Sequence, residues 1–424
     1  MIRKLIEEAK KENIIIEVFS SRDKSLNIKV RNHQVESTIT SDVTKYKVKA
    51  IYKEKTIFIQ TERIDPQKII KLIKENYEIM DNDDKDTLAD SFDLESSKTK
   101  EEELDINQIT EDLLAMDQYR DQYPEIFDFV VEYEYTLNER QITNSNTVLK
   151  DWNDMHSFAT EISLKRDDNR KTGWLVYSSK TYDMEEFSKR VLNEITRGLE
   201  KLDEESIETS KYNIILTNKC VAKLLNAFSD MFFADFINKK MSPLADQFEK
   251  KIFSDKITIV EDPTNKDLLG TSLFDDEGSR TYYKEIVKKG VFIQKLYDKK
   301  TAIKEGKEST GNSFGVRNLF IKPGNKSYDE LVQELENGIV IDDIEALHAG
   351  VNQTTGDISL QSSGYLVREC KKETRLNMII LSSSIFELFT NVLEVGSDFE
   401  KYNKNVSAPS LLLKDITIVG EKER

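Results

Sequence analysis

The stretch "LNIKVRNHQVESTIT", residues 26 to 40, decides the fold class. Leu26, Ile28 and Val30 alternate with Asn27, Lys29 and Arg31, the period of a half-buried strand. His33, within "RNHQ", reads as a turn residue. Further on, "KYKVKAIY" (45–52) and "KTIFIQT" (55–61) alternate in the same way, and amphipathic helices are expected at 1 to 12 and 66 to 80. This predicts a helix-plus-antiparallel-sheet domain. It continues with a helix near 107 to 120, strands near 125–136, 141–150, 157–165 and 174–181, and a helix over about 184–203. "EESIETSK" (204–211) marks a boundary, dividing the chain into residues 1–210 and 211–424.

The second half changes character. Of the chain's 15 glycines, 13 lie beyond residue 211, punctuating short apolar runs as turns between many short strands would. One long helix is expected there, opening at Thr217 or Asn218 and ending at Lys239-Lys240 before Pro243. Its apolar set, Val221, Leu224, Leu225, Phe228, Phe232 and Phe236, follows the spacing of one buried face. The fold class is therefore α+β: an N-terminal helix-plus-antiparallel-sheet domain followed by a C-terminal β-rich domain with one long helix.

Composition narrows the chemistry. At 424 residues with 38% apolar content, the chain has enough core to fold without disulfides. Cys220 and Cys370 are its only cysteines, which suits a reducing cytoplasm and supplies no CxxC site. No stretch reaches the roughly 18 unbroken apolar residues of a membrane span, and the N-terminus carries no export pattern. The net charge of −16 is concentrated N-terminally, where residues 1 to 210 hold 46 acidic and 32 basic side chains. Residues 81 to 105 alone carry 11 acids against 3 lysines, the composition of a solvated tether or a mobile excursion. Such a balance argues against phosphate-backbone binding.

Few residues suggest a site by spacing alone. None of the three histidines, His33, His156 and His348, has a second histidine or a cysteine three to five residues away, as a helical metal site would need. His348 lies just before glycine-rich sequence, and a Ser/His/Asp set can be drawn with Ser309 or Ser359 and Asp357, but no GxSxG elbow surrounds either serine. "KEGKESTGNSFG" (304–315) lacks the phosphate-loop order and reads as a turn or exposed loop, or as backbone lining a groove for an extended peptide. The lysines from Lys284 to Lys307, interleaved with Tyr282, Tyr283, Phe292 and Tyr297, are explained by alternating strand faces more simply than by nucleic acid.

Six segments in order carry a resemblance: "ITIVEDPT" (257–264), "GTSLFDDEG" (270–278), "KEGKESTGNS" (304–313), "IKPGNKSYDELVQELENGIVI" (321–341), "LHAGVNQTTGDISLQSSGYLV" (347–367) and "VGSDFE" (395–400). Together they resemble the TldD/PmbA family, also described as modulators of DNA gyrase, whose two branches form a cytoplasmic zinc-dependent peptidase. In the metal-binding branch an HExxxH motif and a cysteine near the C-terminus serve zinc and its water. Aligned on "LLNAFSDMFFAD" (224–235), the histidine positions carry Asn226 and Met231 and the glutamate position Ala227, and "YNKNVSAPSLLL" (402–413) has no cysteine. Neither Asn nor Met is a good zinc ligand, and Ala cannot take a proton.

The resemblance therefore implies a PmbA/TldE-like subunit with no catalytic residue, metal or cofactor of its own. Its partner would be a TldD-like zinc peptidase subunit or a second copy of itself, and its substrate an unfolded peptide. Two loops are expected near the peptide: Ser309, Thr310, Gly311 and Asn312, and Thr355, Gly356, Asp357 and Ser359. The rival expectations are a self-contained metal-independent hydrolase using His348 or a serine, and a non-proteolytic regulatory or binding homodimer.

Overall fold

In the computed structural model, which describes residues 1–80, 88–92, 94, 101–202, 205–401 and 405–421, the opening stretch is the tip of a long hairpin. Strands β1 (Ile14–Arg31) and β2 (Gln34–Tyr52) pair antiparallel, with Leu26 opposite Thr40 and Ile28 opposite Thr38. Asn32 and His33 make the turn at φ +52° and +62°. The backbone N–H of His33 donates to the buried carboxylate of Asp117 at 2.7 Å, so this histidine is a turn residue, as its sequence context predicts.

Strands β3 (Lys55–Thr61), β4 (Ile126–Thr143), β5 (Val148–Arg166) and β6 (Asn169–Ser179) complete a sheet of order β3-β2-β1-β4-β5-β6, antiparallel throughout. Helices cover one face. Helices α1 (Ile2–Lys11) and α2 (Pro66–Glu75) pack Leu5, Ala9, Ile69 and Ile73 over Ile14, Ile16 and Val18. Helices α3 (Ile106–Asp117) and α4 (Met184–Glu200) do the same over Leu26, Ile28, Phe129 and Tyr133. Helices α2, α3 and α4 are started by Asp65, Asp105 and Asp183, whose side chains accept from the N–H three residues on. Phe129, Phe158 and Phe187 are fully buried, each contributing about 1.5–3 kcal/mol.

One expectation is corrected here. The strand expected at 141–150 is the end of β4, a turn, and the start of β5. Asn144 breaks it: its Oδ1 accepts from the N–H groups of Asn146 and Thr147 while its Nδ2 donates to Glu17. The acidic stretch 81–105 lies partly outside the described residues, but Leu88 and Ala89 within it are held against the rest of the molecule. Ala89 is buried with its N–H 2.6 Å from Glu17 Oε2, and the Leu88 carbonyl accepts from Lys299 Nζ at 2.7 Å.

Beyond residue 205 two six-stranded sheets share one core. Strands β7 (Ser210–Leu216), β12 (Gly338–Ile344), β13 (Asp357–Arg368), β14 (Lys371–Ser384), β15 (Val392–Val395) and β18 (Leu411–Val419) run in the order β14-β13-β12-β7-β18-β15. The other sheet, β10-β9-β8-β11-β17-β16, is built from β8 (Ile259–Glu261), β9 (Lys284–Lys288), β10 (Val291–Phe292), β11 (Leu319–Ile321), β16 (Glu400–Lys401) and β17 (Val406–Ala408). Helix α5 (Asn218–Ala227) buries Cys220, Val221, Leu224 and Leu225 in the same core as Ile214, Ile259, Ile339 and Leu411. The molecule is α+β.

The single long helix is also corrected. After α5 come a 3-10 turn at Ser229–Phe232 and a short helix, α6 (Ala234–Asn238). The interruption is tertiary: the Phe232 carbonyl accepts from Leu296 N–H at 2.9 Å and Ala234 N–H donates to the Leu296 carbonyl at 2.8 Å. Backbone that would have continued the helix is bonded across to another segment instead. The phase shifts with it, so Ile237 is buried and Phe236 is only half-buried.

Candidate functional site

The end of α5 and the loop leading into β13 border an open cavity of about 890 Å³, lined among others by Ala227, His348, Gln353, Asp357 and Ser359. Its walls follow from local chemistry. Asn352 Oδ1 accepts from the N–H groups of Thr354 and Thr355 at 3.0 and 3.2 Å, folding the loop on itself. Gly356, at φ +87°, completes the turn; a Cβ there would stand 3.2 Å from Ile385 Cγ2. Residues then alternate along β13, with Ile358 and Leu360 buried and Asp357 and Ser359 exposed on the same side. Gln353 Nε2 donates to the Ala227 carbonyl at 2.8 Å, tying the loop to the helix end.

The structure thus brings Asp357 and Ser359 together with Ala227 and His348. The cavity offers hydroxyl, amide, carboxylate and imidazole groups, suited to hydrogen-bonding a polar chain. No hydrogen bond joins His348 to Asp357 or Ser359, and the Asp357 carboxylate instead accepts from Thr355 Oγ1 at 2.6 Å.

The other expected loop lies elsewhere, and its side chains serve the fold. Thr310 and Asn312 are 3% and 1% exposed. Thr310 Oγ1 accepts from Tyr297 N–H at 2.7 Å and Ser309 Oγ donates to the Tyr297 carbonyl at 3.2 Å. Gly311, at φ +74°, approaches the Arg280 carbonyl so closely that a Cβ would sit 2.7 Å from it. Asn312 Nδ2 lies 2.8 Å from both oxygens of Glu261, which is 0% exposed and also accepts from Lys284 Nζ at 2.6 Å and Arg317 N–H at 2.7 Å. In this structure the side chains of Thr310 and Asn312 are buried and bonded within the chain. The buried Glu261–Lys284 pair escaped sequence reading because its members stand 23 residues apart and show no motif spacing.

Other singled-out residues are also placed. His156 is fully buried, with Nδ1 2.9 Å from the Tyr133 hydroxyl and Nε2 3.2 Å from Glu102. Lys284 and Lys299 are 5% exposed, so the lysine series does not form one basic surface. Burial pushes the Asp275 carboxyl upward against the N–H groups of Ser313, Ser279 and Glu277, which favour its charged form.

The zinc of the family's metal-binding branch does not fit the residues at the aligned positions. Asn226, in the last turn of α5, is exposed, while Met231 lies beyond the end of that helix in the 3-10 turn, is 3% exposed and packs in the core. Ala227, between them in the alignment, has no ligating atom beyond its carbonyl, which Gln353 occupies. Among the described residues no three His, Cys, Asp or Glu side chains converge as a metal-binding group.

Residues 209–420 match the family model for the PmbA/TldA metallopeptidase C-terminal domain. The metalloprotease PmbA of Escherichia coli O157:H7 is 28% identical over 225 residues, 53% of this chain and 49% of that protein. An uncharacterized Methanocaldococcus jannaschii protein is 30% identical over 285 residues, 65% of each. The match thus spans about half the length of the PmbA relative. TldE from Thermococcus kodakarensis superposes with a TM-score of 0.81 at 17% identity, covering 99% of this chain and 100% of TldE, which establishes a common fold. With half of its residues in the matched domain, this chain belongs to the PmbA/TldD family.

Proposed function

We propose that this chain is a non-catalytic, PmbA/TldE-like subunit of a cytoplasmic zinc-dependent peptidase that acts on unfolded peptides. The metal and the attacking water belong to a TldD-like partner. The observation that carries this reading is the state of the helix-end segment: Asn226 faces solvent, Ala227 lines the cavity and Met231 is in the core. The surrounding cavity, with its exposed Asp357 and Ser359, supports retention of a surface that contacts a chain cut elsewhere. Among the described residues no helix is long and apolar enough to cross a membrane.

The test is affinity purification of the chain from its own cell, with mass spectrometry and zinc analysis of the eluate. A co-eluting HExxxH relative carrying the zinc is expected. Stoichiometric zinc in the isolated chain, with chelator-sensitive cutting of an unfolded peptide, would sink the proposal. A second reading, hydrolysis by this chain alone, draws on His348, Asp357 and Ser359 sharing one cavity. It requires cleavage in excess chelator that disappears in His348→Ala.

A further inference from the structure

A second cavity, about 650 Å³, lies between the uncovered face of the first sheet and the second half of the chain. One wall is strand β1, which presents Phe19, Ser21 and Asp23 at every second position. Opposite stands Asp276, half-exposed, whose Oδ1 takes Arg140 at 3.2 Å and Arg317 at 2.9 Å. At the rim is the loop that follows Asn312.

That loop is held at both ends by buried carboxylates. Asn312 Nδ2 and Arg317 N–H donate to Glu261, and Ser313 N–H donates to Asp275 Oδ2 at 2.9 Å. Between these anchors Phe314 sits at φ +60° with 77% of its surface exposed. Both features are unfavourable for a bulky apolar side chain in a free protein, and glycine would relieve both. Lys47 Nζ, from β2, stands 5.1 Å from the Phe314 ring centroid and 4.8 Å from that of Phe58. A strained, exposed aromatic held by anchored backbone at the rim of a polar cleft is arranged to meet a ligand.

We propose that this interdomain cleft binds an extended peptide segment, with Phe314 packing on one apolar side chain and the polar walls meeting the peptide backbone. The inference rests on the peptide-handling reading above and moves the contact from the hydroxyl and amide groups of 309–312, used internally, to the neighbouring ring. A concave site with polar walls suits a narrow chain better than the flat surface of a folded partner.

The experiment titrates the full purified chain with a fluorescent unstructured peptide containing one central leucine, and with its leucine-to-serine counterpart. Wild type is expected to prefer the leucine peptide by about tenfold, the scale of burying one such side chain. Phe314→Leu should keep that preference. Phe314→Gly should lose it while melting at the same or a higher temperature, because it removes the strain. Equal binding of the two peptides by wild type, or preference retained in Phe314→Gly, overturns the proposal. So does a Phe314→Gly chain that keeps the preference but no longer co-elutes with its partner subunit, which would assign the ring to assembly. Because binding is read on the isolated chain, its outcome is separate from whether a zinc partner exists.

Discussion

Replacing Lys284 with methionine tests whether the buried ion pair organises the second half of the molecule. Lys284 Nζ is 2.6 Å from Glu261 Oε2, with the side chains 3% and 0% exposed. Methionine has about the length of the lysine stem, so the change chiefly removes the charge, including the cation held 4.6 Å from the Tyr282 ring centroid. Breaking one side of a buried pair costs about 3–5 kcal/mol because the other charge is left uncompensated. Asn312 and the Arg317 N–H remain as donors to Glu261, which favours the lower end, about 3 kcal/mol. For a unit of this size that corresponds to a melting temperature lowered by roughly 6–12 °C. Calorimetry and far-ultraviolet circular dichroism are the suitable assays, since Trp152 and Trp174 both lie in the first sheet and report on that half. The double variant Glu261→Gln with Lys284→Met should recover much of the loss, giving a coupling energy above about 1 kcal/mol. Strict additivity of the two changes, or a single variant within about 0.5 kcal/mol of wild type, would refute the reasoning.

Two further outcomes follow from the structure. Burial pushes the Asp343 carboxyl upward, but Lys219, Lys223 and Arg197 outweigh it and hold it well below the usual carboxylate range. Its stabilisation is therefore complete above the unfolded value of about 3.9 and is lost as pH falls below it; acid titration monitored by circular dichroism should show a flatter decline for Asp343→Asn, and parallel curves would count against the linkage. Reinstalling the metal-motif residues as Asn226→His, Ala227→Glu and Met231→His should yield a chain destabilised by about 2–4 kcal/mol, from imidazole placed in the core; purification with stoichiometric zinc and an unchanged melting temperature would contradict this.

The sequence was legible where a pattern and its cause are local. The alternation around Leu26 to Val30 and the polar turn at Asn32-His33 specify the hairpin directly, and aspartate caps mark α2, α3 and α4. Where a bond to a distant segment decides, the pattern misleads. Leu224, Phe228, Phe232 and Phe236 keep helical spacing through a helix that Leu296 interrupts. In "QITNSNTVLK" the break depends on Asn144 folding its own side chain onto two following N–H groups. At 309–312 the loop is legible in the sequence, but the use of its polar groups is not, since the acceptor for Asn312 is 51 residues away.

The same contacts give a physical account of why three of these motifs stand in a chain whose metal-motif positions hold Asn226, Ala227 and Met231. Glu261 comes from "ITIVEDPT", Asp275 and Asp276 from "GTSLFDDEG", and Asn312 and Ser313 from "KEGKESTGNS". In space these three segments are bonded to one another: Asn312 to Glu261, Ser313 N–H to Asp275, and Arg317 to both Glu261 and Asp276. Removing Glu261, Asp275 or Asn312 would leave a buried carboxylate or N–H group short of a partner, costing about 1–3 kcal/mol. These segments are therefore constrained by the folding of a loop, whether or not the chain holds metal. The product of that constraint is a fixed rim carrying Phe314, so changes at Asn312 should alter peptide binding through the placement of the ring, without either residue performing chemistry.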